Sequence, residues 1–280
     1  MFEILKKQAL NPTVTLMEIH APLVARKAEP GQFIILRTDE DGERMPLTIA
    51  DYDRERGTIT IIFQVVGATT EKLNHMQVGD HLQDFVGPLG KATHTDGLRK
   101  VAVVGGGVGC AIAFPVAKKL HSLGCEVHSI IGFRSRDLVI LEKEFEENST
   151  RVLKMSDDGS WGEKGLVTDA LKGLIDAGET YDLVITIGPL IMMKFVCQLA
   201  TACGLRSIAS MNPIMIDGTG MCGGCRLSVG GKTVFACVDG PEFDGSLIDF
   251  DEAMARASMY SSFERHKHEE TCNLYRKEVE

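Results

Sequence analysis

The sequence predicts an antiparallel β-barrel, then an α/β domain built on a parallel sheet, then a small metal-bearing C-terminal segment. Three observations carry this prediction. Short alternating runs with turn residues between them fill the first 97 residues. The continuous apolar run Val101-Ala102-Val103-Val104 enters a glycine-rich turn and then a helical stretch. Three cysteines stand at Cys222-x2-Cys225-x11-Cys237 among glycines.

A chain of 280 residues has room for two domains and a small third. Its 44% hydrophobic and 25% charged content is that of an ordinary soluble globular protein. A net charge of −9 argues against nucleic acid or an anionic membrane as a partner. The start, Met1-Phe2-Glu3-Ile4-Leu5-Lys6-Lys7, lacks the apolar stretch of a signal peptide, and no apolar run is long enough to span a bilayer. Cys110, Cys125, Cys197, Cys203 and Cys272 show no pairing pattern. The expectation is a reduced, cytoplasmic protein.

Within residues 1–97, strands are predicted over 13–19, 32–37 and 57–66, with turns at Pro30-Gly31 and Val78-Gly79-Asp80. A short helix is expected over 71–76. Two features here have chemical potential. Arg44-Met45-Pro46-Leu47-Thr48 places a cation and a hydroxyl four residues apart on one strand, a pair able to hold a phosphate and hydrogen-bond a flavin ring. Gly67-Ala68-Thr69-Thr70 combines a glycine turn, hydroxyls and a helix start, the ingredients of an anion site. Taken alone, each reads first as an edge strand or a helix cap.

Residues 98–210 change period. After Val104 comes Gly105-Gly106-Gly107-Val108-Gly109, then a helix over 110–123. Strand, glycine turn and helix put a dinucleotide pyrophosphate on a helix N-terminus, a Rossmann-like arrangement. The usual Gly-x-Gly-x-x-Gly lacks its third glycine, where Cys110 stands, and Phe133-Arg134-Ser135 replaces the ribose-binding acid at the end of the second strand. A glycine turn serving only strand–helix packing would look the same. The third strand, 151–155, ends at Ser156-Asp157-Asp158-Gly159, and the fourth, 181–187, at Gly188-Pro189. Carboxyl ends of strands are where open α/β sheets bind ligands. Met192-Met193 in the next helix reads as core.

In residues 211–250, Asp217-x4-Cys222-x2-Cys225 with distant Cys237 has metal-ligand spacing. A zinc ribbon would need a second Cys-x2-Cys knuckle, which is missing. Plant-type [2Fe-2S] sites use Cys-x4-Cys-x2-Cys and a distant cysteine, and this spacing matches with Asp217 first. An aspartate oxygen is a harder donor than a thiolate but ligates iron. Plain buried cysteines remain the third reading. A hairpin over 226–236, turning at Gly230-Gly231, brings Cys237 back beside Cys225. The tail, 251–280, is expected to be helical and charged, with His266 and His268 solvated.

The order of these parts resembles the ferredoxin–NADP reductase superfamily over nearly the whole chain. The C-terminal segment is similar to that of electron-transfer subunits of dihydroorotate dehydrogenase. The aspartate in the first ligand position is similar to that of the small-subunit family of NADH-dependent ferredoxin:NADP oxidoreductases, also called sulfide dehydrogenase subunit beta. The resemblance implies a flavo-iron-sulfur oxidoreductase subunit using FAD, a [2Fe-2S] cluster and NAD(H). It implies that Arg44, Pro46, Leu47 and Thr48 hold the FAD ring and phosphate, with Gly67, Thr69 and Thr70 at its pyrophosphate. Gly105, Gly106, Gly107 and Gly109 would receive the NAD pyrophosphate, with Arg134, Asp157 and Asp158 near the rest of the dinucleotide. Gly188 and Pro189 would close over the nicotinamide, although Ile187 stands where many members have cysteine. Asp217, Cys222, Cys225 and Cys237 would ligate the cluster. The implied partner is a larger flavo-iron-sulfur subunit in a heterodimer that bifurcates electrons and reaches ferredoxin. The same chemistry serves dihydroorotate dehydrogenase, and a zinc-binding module is the non-enzymatic alternative.

Overall fold

The computed structural model describes residues 2–260 together with Phe263, Glu264 and His266. His268 and Cys272 lie outside the described residues.

The first part contains β1 (Phe2–Asn11), β2 (Val14–His20), α1 (Pro22–Ala25), β3 (Phe33–Arg37), β4 (Met45–Asp53), β5 (Thr58–Gln64), α2 (Ala68–His75), β6 (His81–Leu82) and β7 (Asp84–Leu89). Its strands form one antiparallel sheet in the order β6-β1-β2-β5-β4-β3-β7. Strands β6 and β7 sit at opposite edges, yet only Gln83 separates them in the chain. The edges therefore meet, and the sheet curls into a nearly closed barrel that leaves little unpaired edge. Alternation sets which side faces inward. Met17 and Ile19 lie opposite Ile61 and Ile59, and all four are fully buried.

The second part contains β8 (Lys100–Gly106), α3 (Cys110–Ser122), β9 (Glu126–Phe133), α4 (Glu142–Glu147), β10 (Arg151–Ser156), β11 (Glu163–Lys164), α5 (Val167–Asp176), β12 (Leu183–Ile187), α6 (Leu190–Ala202) and β13 (Ser207–Ser210). The sheet runs β11-β10-β9-β8-β12-β13 in parallel. Within β8, Val101 and Val103 pack with α3, whereas Ala102 and Val104 pack with α5 and α6. The helices thus cover both faces, which is why this strand reads as one unbroken apolar run. The core on the α3 face continues into the barrel through Val14, Ala50 and Ile62.

The last part contains β14 (Arg226–Val229), β15 (Lys232–Phe235), α7 (Ala236–Asp239), β16 (Glu242–Asp244) and α8 (Phe250–Ala257). Strand β16 returns to the parallel sheet and pairs antiparallel with β13. The segment does not build a core of its own. Met211, Met215, Leu227, Ala236 and Phe250 share one apolar cluster with Phe33 and Ile35 of the barrel and Met193, Cys197 and Ala209 of the α/β part. No helix among the described residues is long and apolar enough to cross a membrane.

Candidate cofactor cleft and metal centre

The chain leaves β8 toward β9 and β10 on one side, then returns through β12 and β13 on the other. The carboxyl ends of β8 and β12 are therefore the switch point, where an open α/β sheet leaves a crevice. A cleft of about 980 Å³ opens there. Its walls include Gly106, Gly107, Gly109, Arg134, Asp157, Gly188 and Pro189. Asn11, Thr13 and Gln64 reach it from the barrel, Ser210 from the end of β13, and Asn212 from the start of the cysteine segment.

These residues fit a dinucleotide. The volume is at the upper end for a cofactor pocket. The glycine turn exposes backbone at the start of the 13-residue helix α3, whose first turn carries no acid to repel an anion. Gly105 and Asp158 are placed differently from the expectation. Gly105 is buried beneath the turn, where an added Cβ would stand 3.0 Å from Cys110 Sγ. The Asp158 carboxylate accepts from the hydroxyl and amide of Ser160, at 2.6 and 2.9 Å, and does not line the cleft. Those two bonds, the hydroxyl's first, hold its carboxyl below the usual range. Asp157 faces the cleft, and the amides of Asp157 and Asp158 bond the carbonyls of Phe133 and Arg134, so the ends of β9 and β10 are tied together.

The two motifs expected at a flavin also meet. Thr69 Oγ1 donates to Glu43 Oε2 at 2.8 Å, joining the start of α2 to the residue before Arg44. Thr70 is committed locally: its hydroxyl accepts from the amides of Val66 and Gly67, both at 3.0 Å, and donates to the Gly67 carbonyl at 2.9 Å. Pro46, Leu47 and Thr48 are half-buried on β4. Arg44 points toward the cysteine segment, where its Nε donates to the Ile216 carbonyl at 2.6 Å and Nη2 to the Asp217 carbonyl at 3.3 Å.

The cysteine loop is preorganised. Asp217 accepts from the hydroxyl of Thr219 and from the amides of Thr219 (3.0 Å) and Met221 (3.2 Å), which hold its carboxyl below the usual range. Cys222 is exposed, and backbone amides, Gly224's above all, hold its thiol below the ordinary cysteine value. Cys225 and Cys237 are buried side by side, with the Cys237 amide donating to Cys225 Sγ at 3.4 Å. Burial, then the neighbouring Cys225, pushes the Cys237 thiol up to about 11. The β14–β15 hairpin, turning at Gly230 and Gly231, produces this juxtaposition. The Cys222 thiol is eased toward its anion while the Cys237 thiol resists it, so a metal cation is what would draw these thiols into one deprotonated set. That donor set fits a metal centre.

Met192 departs from its expected place in the core. Of the expected core pair, Met193 is fully buried, but Met192 lines the cleft, with Sδ 2.3 Å from where a Gly106 Cβ would be. Neighbours on a helix point about 100° apart, so one of two adjacent methionines turning outward is the available signal.

Residues 212–249 match the iron-sulfur cluster binding domain of dihydroorotate dehydrogenase B. A dihydroorotate dehydrogenase B (NAD(+)) electron transfer subunit homolog of Thermotoga maritima is 44% identical over 267 residues, covering 95% of this chain and 94% of the relative. A solved chain of an NADH-dependent reduced ferredoxin-NADP oxidoreductase, described in terms of flavin-based electron bifurcation, superposes with a TM-score of 0.91. It is 43% identical and covers 96% of this chain and 97% of its own. The ferredoxin reductase of carbazole 1,9a-dioxygenase shares the fold at 19% identity, with a TM-score of 0.63 over 73% of this chain and 65% of that one.

Proposed function

This chain belongs to the family of dihydroorotate dehydrogenase B electron-transfer subunits, and from that premise we propose that it moves electrons between NAD(H), FAD and a [2Fe-2S] cluster as the smaller subunit of an NADH-dependent reduced ferredoxin–NADP oxidoreductase. The observation that carries the reading is convergence. Arg44, the residue before β4, touches the cysteine loop, while the nucleotide cleft is walled by the barrel, the α/β sheet and the start of the cysteine segment.

When bound, FAD exchanges a two-electron hydride with NAD(H), and an iron–sulfur cluster passes electrons singly. The chain's own residues position and insulate. The Gly106–Gly109 turn and the start of α3 cradle the NAD pyrophosphate. Arg134 and Asp157 border the far half of the dinucleotide, and Gly188, Pro189 and Met192 close over the nicotinamide. Arg44, Pro46, Leu47, Thr48, Gly67 and Thr69 hold the flavin, while Cys222, Cys225, Cys237 and Asp217 hold the cluster. None of these groups needs to move a proton. The partner is a larger subunit carrying further flavin and iron–sulfur centres, and ferredoxin is reached through it.

Service to a dihydroorotate dehydrogenase is the second reading, favoured by the match over 212–249. Anaerobic purification decides between these readings and a zinc module. A yellow-brown protein whose flavin bleaches with NADH, followed by a rhombic paramagnetic signal, is the expected result. A colourless, zinc-loaded chain overturns the proposal, and co-purification with a dihydroorotate-oxidising subunit reassigns the partner.

A further inference from the structure

Arg44 sits at the entrance to the flavin-binding strand, but the groups it contacts belong to the cluster loop, 172 and 173 residues away. Its Nε and Nη2 hold the consecutive carbonyls of Ile216 and Asp217. The next residue, Gly218, has φ +83°, and a Cβ there would stand 2.7 Å from Ile35 Cδ1 and 2.9 Å from Leu89 Cδ1. The loop thus rests on the barrel at a position only glycine fits, and one guanidinium tethers it there. The side chain of Asp217 satisfies amides of its own loop, so it does not anchor the loop to the barrel.

A guanidinium has five N–H donors in a rigid fork. Two are used on the loop, which leaves three for an anion. We propose that Arg44 is a positioning residue for the iron–sulfur loop, and that one guanidinium, holding the flavin phosphate and the Ile216 and Asp217 carbonyls together, couples flavin retention to cluster retention. This rests on the reading of the chain as a flavo-iron-sulfur subunit. A bound phosphate fixes the fork in the orientation that holds the carbonyls, and without it the side chain regains rotamer freedom and the loop loosens. The guanidinium is also the positive charge nearest the Asp217 backbone, so its removal makes a cluster on this loop harder to reduce. A lysine cannot substitute, because a compact ammonium cannot span two carbonyls and a phosphate in fixed geometry.

The test compares full-length wild type, Arg44→Gln and Arg44→Lys, each with saturating FAD and after FAD removal. The readouts are the rate of iron loss to a chelator, the paramagnetic g-values and the reduction potential of the cluster. In wild type, removing FAD should speed iron loss roughly tenfold, the equivalent of about 1.4 kcal/mol. In Arg44→Gln, iron loss should be fast and indifferent to FAD, with shifted g-values and a more negative potential. Arg44→Lys should regain part of the flavin affinity without restoring slow iron loss. Wild-type iron loss that ignores FAD overturns the coupling even if the variants do not fold. Wild-type g-values and iron loss in Arg44→Gln overturn the positioning role. A wild-type chain that binds neither flavin nor iron refutes the underlying function instead, so the two failures are distinct.

Discussion

Gly109 lies so close to Gly188 that a methyl group on Gly109 would stand 2.6 Å from the Gly188 Cα, and equally close to the Ile187 carbonyl oxygen. Gly109 has φ −58°, a conformation open to any residue, so what it supplies is space. Gly107 is the opposite case, with φ +54° and nothing within 4 Å of an added Cβ. Gly109→Ala should push the turn off β12, costing roughly 1–3 kcal/mol and weakening NADH binding. Gly107→Ala meets only left-handed strain, about 1 kcal/mol. Thermal melts and NADH titrations of both variants check the ranking, and equal losses would show that the Gly109–Gly188 contact does not set the geometry.

Nucleotide choice should rest on Asp157 alone. Asp157 lines the cleft together with Arg134, whereas the carboxylate of Asp158 is bonded to Ser160. A 2′-phosphate beside Asp157 meets a like charge, so NADH should reduce the flavin faster than NADPH. Asp157→Asn should raise the NADPH rate about fivefold, the order of 1 kcal/mol for one screened charge. Asp158→Asn should leave it unchanged. Stopped-flow flavin reduction measures both, and a wild type faster with NADPH reverses the assignment.

These two sites show what a sequence discloses and what it withholds. The β8 run, the glycine turn and α3 are local, each set by neighbours in the chain, and the structure has them within a residue or two of the expected bounds. The Cys222–Cys225–Cys237 grouping follows from one hairpin with a Gly-Gly turn. In contrast, the cleft walls from Asn11, Thr13 and Gln64, the partners of Arg44, and the return of β16 onto β13 depend on how distant pieces dock. Strand β1 is not legible in the sequence because its residues are half-buried or exposed, with Ile4 the one buried residue, and so carry little alternation. Asp157 and Asp158 differ only in the direction their side chains leave the backbone, which spacing does not report.

Glu242 should make stability depend on pH. It keeps partial surface exposure, but its carboxyl is enclosed, with Thr93 Oγ1 donating to it at 2.7 Å. Lys91, His94, Arg206 and Asp244 border the same hollow. Burial pushes its pKa from 4.5 up to about 7. The folded state therefore holds more protons than the unfolded state between those values, and stability falls as pH rises through that window. Glu242→Gln keeps an acceptor for Thr93 and removes the titration. It should gain on the order of 2 kcal/mol over wild type at pH 8 and almost nothing at pH 4.5. Melting temperatures of the pair at both pH values decide it, and a constant offset would mean this carboxyl does not titrate there.

Asp217 offers the sharpest test of the metal centre, because its two possible roles make different demands. As a turn residue it needs only an acceptor for the amides of Thr219 and Met221, at 3.0 and 3.2 Å. An asparagine oxygen supplies that acceptor. As an iron ligand it must also bring negative charge, and its hard oxygen favours the ferric state. Asp217→Asn therefore separates the roles, where Asp217→Ala would remove both. We expect Asp217→Asn to bind iron but lose it more readily, with altered g-values. Asp217→Cys should retain a [2Fe-2S] cluster with changed g-values and a changed reduction potential, because a softer thiolate takes the position. The carboxyl is already held below its usual range by the Thr219 hydroxyl and amides, so it stays ionised through the neutral pH at which a cluster would assemble. If Asp217→Asn keeps full iron, an unshifted spectrum and an unshifted potential, Asp217 only shapes the loop. The fourth donor must then come from elsewhere, with a residue of the partner subunit the first to examine.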